Sequence, residues 1–172
     1  LGPGTLNGGG GGGSGSATLS SIDTAGGTRF DDRISAGMIS NSVSLSGRGG
    51  SDTLIGGNGN DQLVGDWDST QVAGDDWIEG GGGHDVIYAD AGDDTLFGGT
   101  GDDTFHLSPL SGQESFGHDS INAGEGRDTL SFELVMAGPM TVDLGAGTLI
   151  AAGPFGSGSA TFFSVENYHG SE

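Results

Sequence analysis

Along the middle of the chain, single apolar residues stand among glycines and short polar residues at a spacing of nine. Leu54 and Leu63 are nine apart, as are Ile78, Ile87, Leu96 and Phe105 in turn, and then Ile121 and Leu130. The steps from Leu63 to Ile78 and from Phe105 to Ile121 carry six and seven extra residues. Each of these positions is predicted to centre a three-residue strand with its side chain turned inward. Short alternating pieces lie on either side. Ile34, Met38-Ile39 and Val43-Ser44-Leu45 precede the array, and segments 129–135, 140–144, 148–152 and 160–165 follow it. Alternation of this kind predicts further strands.

The polar positions keep the same period. Residues 56–64 are Gly-Gly-Asn-Gly-Asn-Asp-Gln-Leu-Val, 80–88 are Gly-Gly-Gly-Gly-His-Asp-Val-Ile-Tyr, and 98–106 are Gly-Gly-Thr-Gly-Asp-Asp-Thr-Phe-His. Eight copies share glycine at the fourth position: Gly50, Gly59, Gly74, Gly83, Gly92, Gly101, Gly117 and Gly126. All eight share aspartate at the sixth: Asp52, Asp61, Asp76, Asp85, Asp94, Asp103, Asp119 and Asp128. Glycine at positions one, two and four suits tight turns with positive φ. A fixed short period is the signature of a solenoid. The predicted fold is therefore all-β, a parallel β-roll (a β-solenoid) with non-repeat β caps at both ends. Residues 1–16, with an unbroken run from Gly8 to Gly13, form a Gly-rich linker. The N-terminal cap is placed at 17–46, the roll at 47–131 and the C-terminal cap at 132–172. Leu45 is nine before Leu54, while Val43 stands where aspartate would be. The coil is thus expected to begin before its cation sites do.

Composition changes this picture in one respect. With 39 Gly and 4 Pro in 172 residues, a chain lacking a period would be disordered. Here the period overrides composition, but the charge remains. Four arginines and no lysine face 24 acids, of which 18 are Asp, for a net charge of −20. Such a surface repels nucleic acid and anionic lipid and attracts cations. There is no cysteine, which excludes a disulfide scaffold and a thiolate metal site. No stretch of apolar residues is long enough to span a membrane. The N-terminus lacks the charged and apolar regions of a cleavable signal, so a signal for export is expected elsewhere.

One inward apolar residue per nine makes a thin core, too small to offset the ordering of a glycine-rich chain. The aspartates supply what is missing. Two repeats make one coil, so a loop stacks on the loop two repeats away and their aspartates approach. Stacked carboxylates repel unless a cation lies between them. Two carboxylates with glycine-exposed carbonyls make an oxygen cage that suits Ca²⁺ better than Mg²⁺. The predicted metal ligands are the eight sixth-position aspartates with the backbone of Gly57, Gly59, Gly81, Gly83, Gly99 and Gly101. Alternate repeats share an edge. The regular edge carries Asp61, Asp85, Asp103 and Asp128, and should hold two or three well-formed sites. The inserted edge carries Asp52, Asp76, Asp94 and Asp119, and both insertions, 68–73 and 110–116, fall on it. There sites are expected to be lost, or remodelled with Asp66, Asp68 or Asp75. Asp85→Ala should accordingly cost more calcium binding than Asp119→Ala.

The sequence Gly-Gly-x-Gly-x-Asp-x-apolar-x resembles the RTX (hemolysin-type) calcium-binding nonapeptide repeat, over residues 47–131. The stretches Asp128-Thr-Leu-Ser-Phe, Thr141-Val-Asp-Leu and Phe163-Ser-Val-Glu-Asn-Tyr-His-Gly-Ser look like segments that separate repeat blocks in that family. The resemblance implies several bound Ca²⁺ ions. It also implies type I secretion as an unfolded, calcium-free chain that folds outside the cell, at the bacterial surface or secreted. The partners implied are calcium, the rest of a larger secreted protein of which this chain is a piece, and an extracellular protein or glycan.

Two functional classes fit: a calcium module that drives folding and secretion of an exported enzyme, or a segment of a calcium-stiffened surface adhesin or surface layer. Catalysis by the chain itself is not expected, because no nucleophile elbow or triad pattern occurs. The pairs Asp75-Asp76, Asp93-Asp94 and Asp102-Asp103 fall within the repeat and are assigned to it. An ice-binding surface would need a regular row of one residue type, and position seven is too irregular. Trp67 and Trp77 flank the first insertion and are assigned to packing it rather than to a sugar platform. His84, His106 and His118 lack metal-type spacing.

Overall fold

The computed structural model describes residues 16–18, 23–66, 73–107, 115–132, 140–152 and 157–169. Among them there is no helix, only strands joined by turns. The chain opens with β1 (Ser16–Thr18), β2 (Thr24–Gly26), β3 (Arg33–Ser35) and β4 (Ser44–Arg48). The repeats contribute β5 (Thr53–Ile55), β6 (Gln62–Asp66), β7 (Trp77–Gly82), β8 (Val86–Tyr88), β9 (Thr95–Thr100), β10 (Thr104–His106), β11 (Ser115–Glu125) and β12 (Thr129–Ser131). Then come β13 (Met140–Asp143), β14 (Thr148–Ala151), β15 (Ser157–Phe163) and β16 (Asn167–His169).

Successive strands alternate between two sheets. One has the order β1-β3-β5-β7-β9-β11-β15-β14-β13, and the other β16-β12-β10-β8-β6-β4-β2. Pairing is parallel except at β13–β14 and β14–β15. Eighth-position residues pair with one another, as in Leu54↔Ile78, Ile78↔Leu96, Leu63↔Ile87 and Phe105↔Leu130. The coil is eighteen residues long where no insertion intervenes, as between Asp76 and Asp94 or Asp85 and Asp103. The insertions lengthen it to 24 and 25 residues without shifting the register. The chain is thus a parallel β-roll of two facing sheets.

All eight eighth-position residues are completely buried between the sheets. The core is thicker than one residue per nine, because position one, two residues after the eighth, also faces inward. Ala89, Leu107, Ala123 and Phe132 hold that position and are fully buried, joined by Phe116. In the repeats with glycine there, the position is empty of side chain.

The roll extends beyond residues 47–131 in both directions. Ile34 pairs with Leu54 and Ala25 with Leu45, so the described part of 17–46 belongs to the same coil. At the other end, β15 stacks on β11 and β16 on β12, placing Phe162 on Ile121 and Tyr168 on Leu130. The hairpin β13–β14 then closes the edge of the first sheet in antiparallel fashion. Apart from its last residue, the Gly-rich linker 1–16 lies outside the described residues.

Candidate metal centre

The parallel register carries every sixth-position aspartate to one of the two turn columns. On the regular edge the amide N–H of Val43 donates to Asp61 Oδ1 (2.8 Å), that of Asp61 to Asp85 Oδ1 (2.8 Å), that of Asp85 to Asp103 Oδ1 (2.8 Å) and that of Asp103 to Asp128 Oδ1 (2.9 Å). On the inserted edge Asp32 N–H donates to Asp52 Oδ1 (2.6 Å), Asp52 to Asp76 (2.8 Å), Asp76 to Asp94 (2.8 Å) and Asp94 to Asp119 (3.1 Å). The second column runs through both insertions unbroken. Asp76 and Asp119, which follow the insertions in sequence, take the same place in the column as the aspartates of uninterrupted repeats.

The second carboxylate oxygen sets these residues apart. The Oδ2 atoms of Asp52, Asp76, Asp85, Asp94, Asp103, Asp119 and Asp128 are buried and have no hydrogen-bond partner. The turn is built to hold them. The space a Cβ would take at Gly80 is bounded by Asp85 Oδ2 and the carbonyl of Gly98, and that at Gly98 by Asp103 Oδ2 and the carbonyl of Ala123. On the other column the same space at Gly65 is bounded by Asp76 Oδ2 and the carbonyl of Ala89. At Gly65, Gly80 and Gly98 the glycine leaves that space open without positive φ, whereas Ala89, Leu107 and Ala123 hold the same position in the repeats of Asp94, Asp119 and Asp128. Asp61 differs, since its Oδ2 accepts the Gly57 N–H at 2.7 Å.

Positions two and four supply further oxygens. The carbonyl of Gly57 points at the Cα of Gly81, and that of Gly81 at Gly99. Those of Gly59, Gly83 and Gly101 point likewise at Gly83, Gly101 and Gly126, and that of Gly99 at Gly124. A Cβ at any of these glycines would fill the gap between coils. Gly81, Gly83, Gly99 and Gly101 have φ of 109°, 112°, 114° and 119°. Gly57 and Gly59 do not have positive φ; a Cβ there would meet the backbone of Ile39 and Asn41 in the coil before. The inserted edge keeps the same fourth-position row, from Gly50 through Gly74 and Gly92 to Gly117.

Burial governs the carboxyls. It pushes Asp76 and Asp119 up to about 9 and Asp94 to about 8. Asp52, Asp66 and Asp85 rise to about 7 and Asp103 to about 6. Asp61 and Asp128 are raised too, again by burial. Neighbouring aspartates in the column add to the rise, and the ladder N–H groups oppose it. A buried carboxylate with one orphaned oxygen is stable only with a proton or a cation. Among the described residues no three or more His, Cys, Asp or Glu side chains form a ready-made cage. An ion here would draw its remaining ligands from the carbonyl rows. The donors are all oxygen, which fits a hard ion such as Ca²⁺.

A second ladder runs through the fifth positions in the opposite sense. The N–H of His84 donates to Asn60 Oδ1 (2.9 Å), that of Asp102 to His84 Nδ1 (2.7 Å) and that of Arg127 to Asp102 Oδ1 (3.0 Å). On the inserted edge Asp75 N–H donates to Ser51 Oγ, Asp93 to Asp75 Oδ1 and His118 to Asp93 Oδ1. Asp75 and His84 thus act in stacking the coils. His106 stacks on Tyr88 at 4.5 Å, and Trp77 packs on Phe97 at 4.8 Å on the outer face. Trp67 and Asp68 lie outside the described residues.

Three turn residues escape the nonapeptide pattern. Asp32 heads the inserted column, two before the buried Ile34, but Phe30 occupies its fourth position and hides the repeat. Glu166 continues the regular column beyond Asp128, whose N–H it accepts through Oε2 at 2.8 Å. Its turn lacks the first three positions, so only the spacing Glu-x-Tyr168 signals it. Asp90, fully buried, occupies a second position where the pattern has glycine.

Residues 44–72, 70–105 and 115–133 match the family model of the RTX calcium-binding nonapeptide repeat, in four copies. Compared with curated proteins, the chain matches none. The chain carries RTX calcium-binding repeats, with aspartate-lined turns, on a β-roll.

Proposed function

We propose, for a chain carrying RTX repeats, that it is a Ca²⁺-binding β-roll module that folds when calcium binds outside the cell and so supports the secretion and stability of a larger exported protein. The observation that carries this reading is the stack of buried Oδ2 atoms without partners on both edges. At net charge −20 the coils repel when no cation lies between them. Extracellular calcium of order 10⁻³ M, the range in which such modules work, would supply that cation. Binding energy then becomes folding energy. The module is proposed to be non-catalytic. In support, the acid pairs Asp75-Asp76, Asp93-Asp94 and Asp102-Asp103 are committed to the two ladders. No helix among the described residues is long and apolar enough to cross a membrane.

Far-UV circular dichroism in EDTA, followed by millimolar Ca²⁺, tests the reading. A disordered spectrum that becomes β-rich on calcium addition is expected. A spectrum already β-rich in EDTA at neutral pH, and unchanged by calcium, would sink it.

A further inference from the structure

The two edges differ most at position two of the repeat. On the regular edge that residue is glycine throughout: Gly57, Gly81, Gly99 and Gly124. On the inserted edge it is Arg48, Asp66 and Asp90 in successive coils, with Arg48 and Asp66 in direct register. Asp66 is 4 % exposed and Asp90 0 %. Asp66 Oδ2 accepts the Gly74 N–H at 3.2 Å, while Oδ1 is buried and has no partner. That oxygen is therefore shut off from water without a partner to replace it.

Asp66 lies among the sixth-position carboxylates. Its charge acts on Asp52, Asp76 and Asp94, and that of Asp90 acts on Asp66 and Asp94. Asp90 also holds φ at 74°, a conformation glycine takes freely and other residues rarely. A carboxylate is thus kept at the second position against backbone preference, in a turn already crowded with negative charge.

We infer that Asp66 and Asp90 join Asp76 and Asp94 in a carboxylate-rich calcium site on the inserted edge, the tightest on the roll and the first to fill. The inference rests on the calcium-binding reading above. As folded, the four carboxylates do not meet at one point. An ion between the coils draws the second-position pair onto the sixth-position pair. More charged ligands raise calcium affinity, so this site outranks those built from two carboxylates and carbonyls.

Calorimetric titration of the chain with CaCl₂ after chelator removal tests it, using Asp66→Gly and Asp90→Gly. Both restore the regular edge's second-position glycine, and Asp90→Gly also relieves the backbone. The wild type should show a first step about tenfold or more tighter than the rest. Each variant should lose that tight step while its later steps stay within about twofold and its circular dichroism at saturating calcium matches wild type. A tight first step unchanged in both variants overturns the assignment. So does a uniform weakening of every step, which marks a purely structural role. A wild type that binds no calcium would instead remove the underlying reading.

Discussion

At the scale of single residues, the turn discriminates among its glycines. At Gly98 a Cβ would run into the Ala123 carbonyl and the Asp103 carboxylate, neither free to move without breaking the column. At Gly82 the nearest obstacle is Thr100 Oγ1 at 3.3 Å, a side chain that can rotate away. Gly98→Ala should therefore lower stability in saturating calcium by about 2 kcal/mol or more, and Gly82→Ala by less than about 0.5 kcal/mol. Thermal melts at fixed calcium would show the contrast, and equal losses would refute the steric role of position one. Arg48 makes the opposite case. It holds φ at 90° where the pattern prefers glycine, so Arg48→Gly should raise stability by about 1 kcal/mol in the same melts. The period in the sequence marks position one as glycine but cannot say why. A missing side chain gives no sign of which way it would have pointed.

At the scale of the turn columns, the cost of losing an aspartate depends on place in the column and not on neighbouring insertions. Asp76 belongs to the repeat that holds the first insertion, yet it accepts from Asp52 and donates to Asp94 like any interior member. Asp76→Ala should therefore weaken calcium-induced folding at least as much as Asp85→Ala, by about tenfold or more in the calcium midpoint. Asp119→Ala should cost less, because Ala160 follows it in register and its column ends there. A small effect of Asp76→Ala would restore the view that insertions spoil their edge. The strands, their register and all eight aspartates were set by Leu54 to Leu130 and by the period. The ends were not, because Phe30 replaces a glycine before Asp32 and only Ser164 and Val165 separate β15 from Glu166. The fifth-position ladder was hidden because Asn60, His84 and Asp102 share acceptor capacity and not identity.

At the scale of the whole molecule, protons and calcium compete for the same oxygens. Every column carboxyl that shifts is raised above its ordinary 3.8, from about 6 at Asp103 to about 9 at Asp76. The cation-free roll thus holds protons that the unfolded chain has released. The stability they supply is complete below about pH 4 and is lost as pH climbs through the range from 6 to 9. In EDTA, β structure should be strongest near pH 4.5 and fade toward pH 8. In millimolar calcium the trend should reverse, with protons released on binding. Parallel dichroism titrations check both, and a pH-independent spectrum in EDTA would contradict the burial of these groups. The core itself is uneven along the axis. Its inward row is aliphatic from Ile34 to Leu96, whereas Phe105, Phe116, Phe132 and Phe162 fill the far end beneath the β14–β15 strands. Aromatic bulk buries more apolar surface per residue than the aliphatic row, and that end depends least on ions for cohesion. When calcium is withdrawn, the aromatic end should therefore hold together longest and the aliphatic coils should open first, a contrast that amide hydrogen exchange would show.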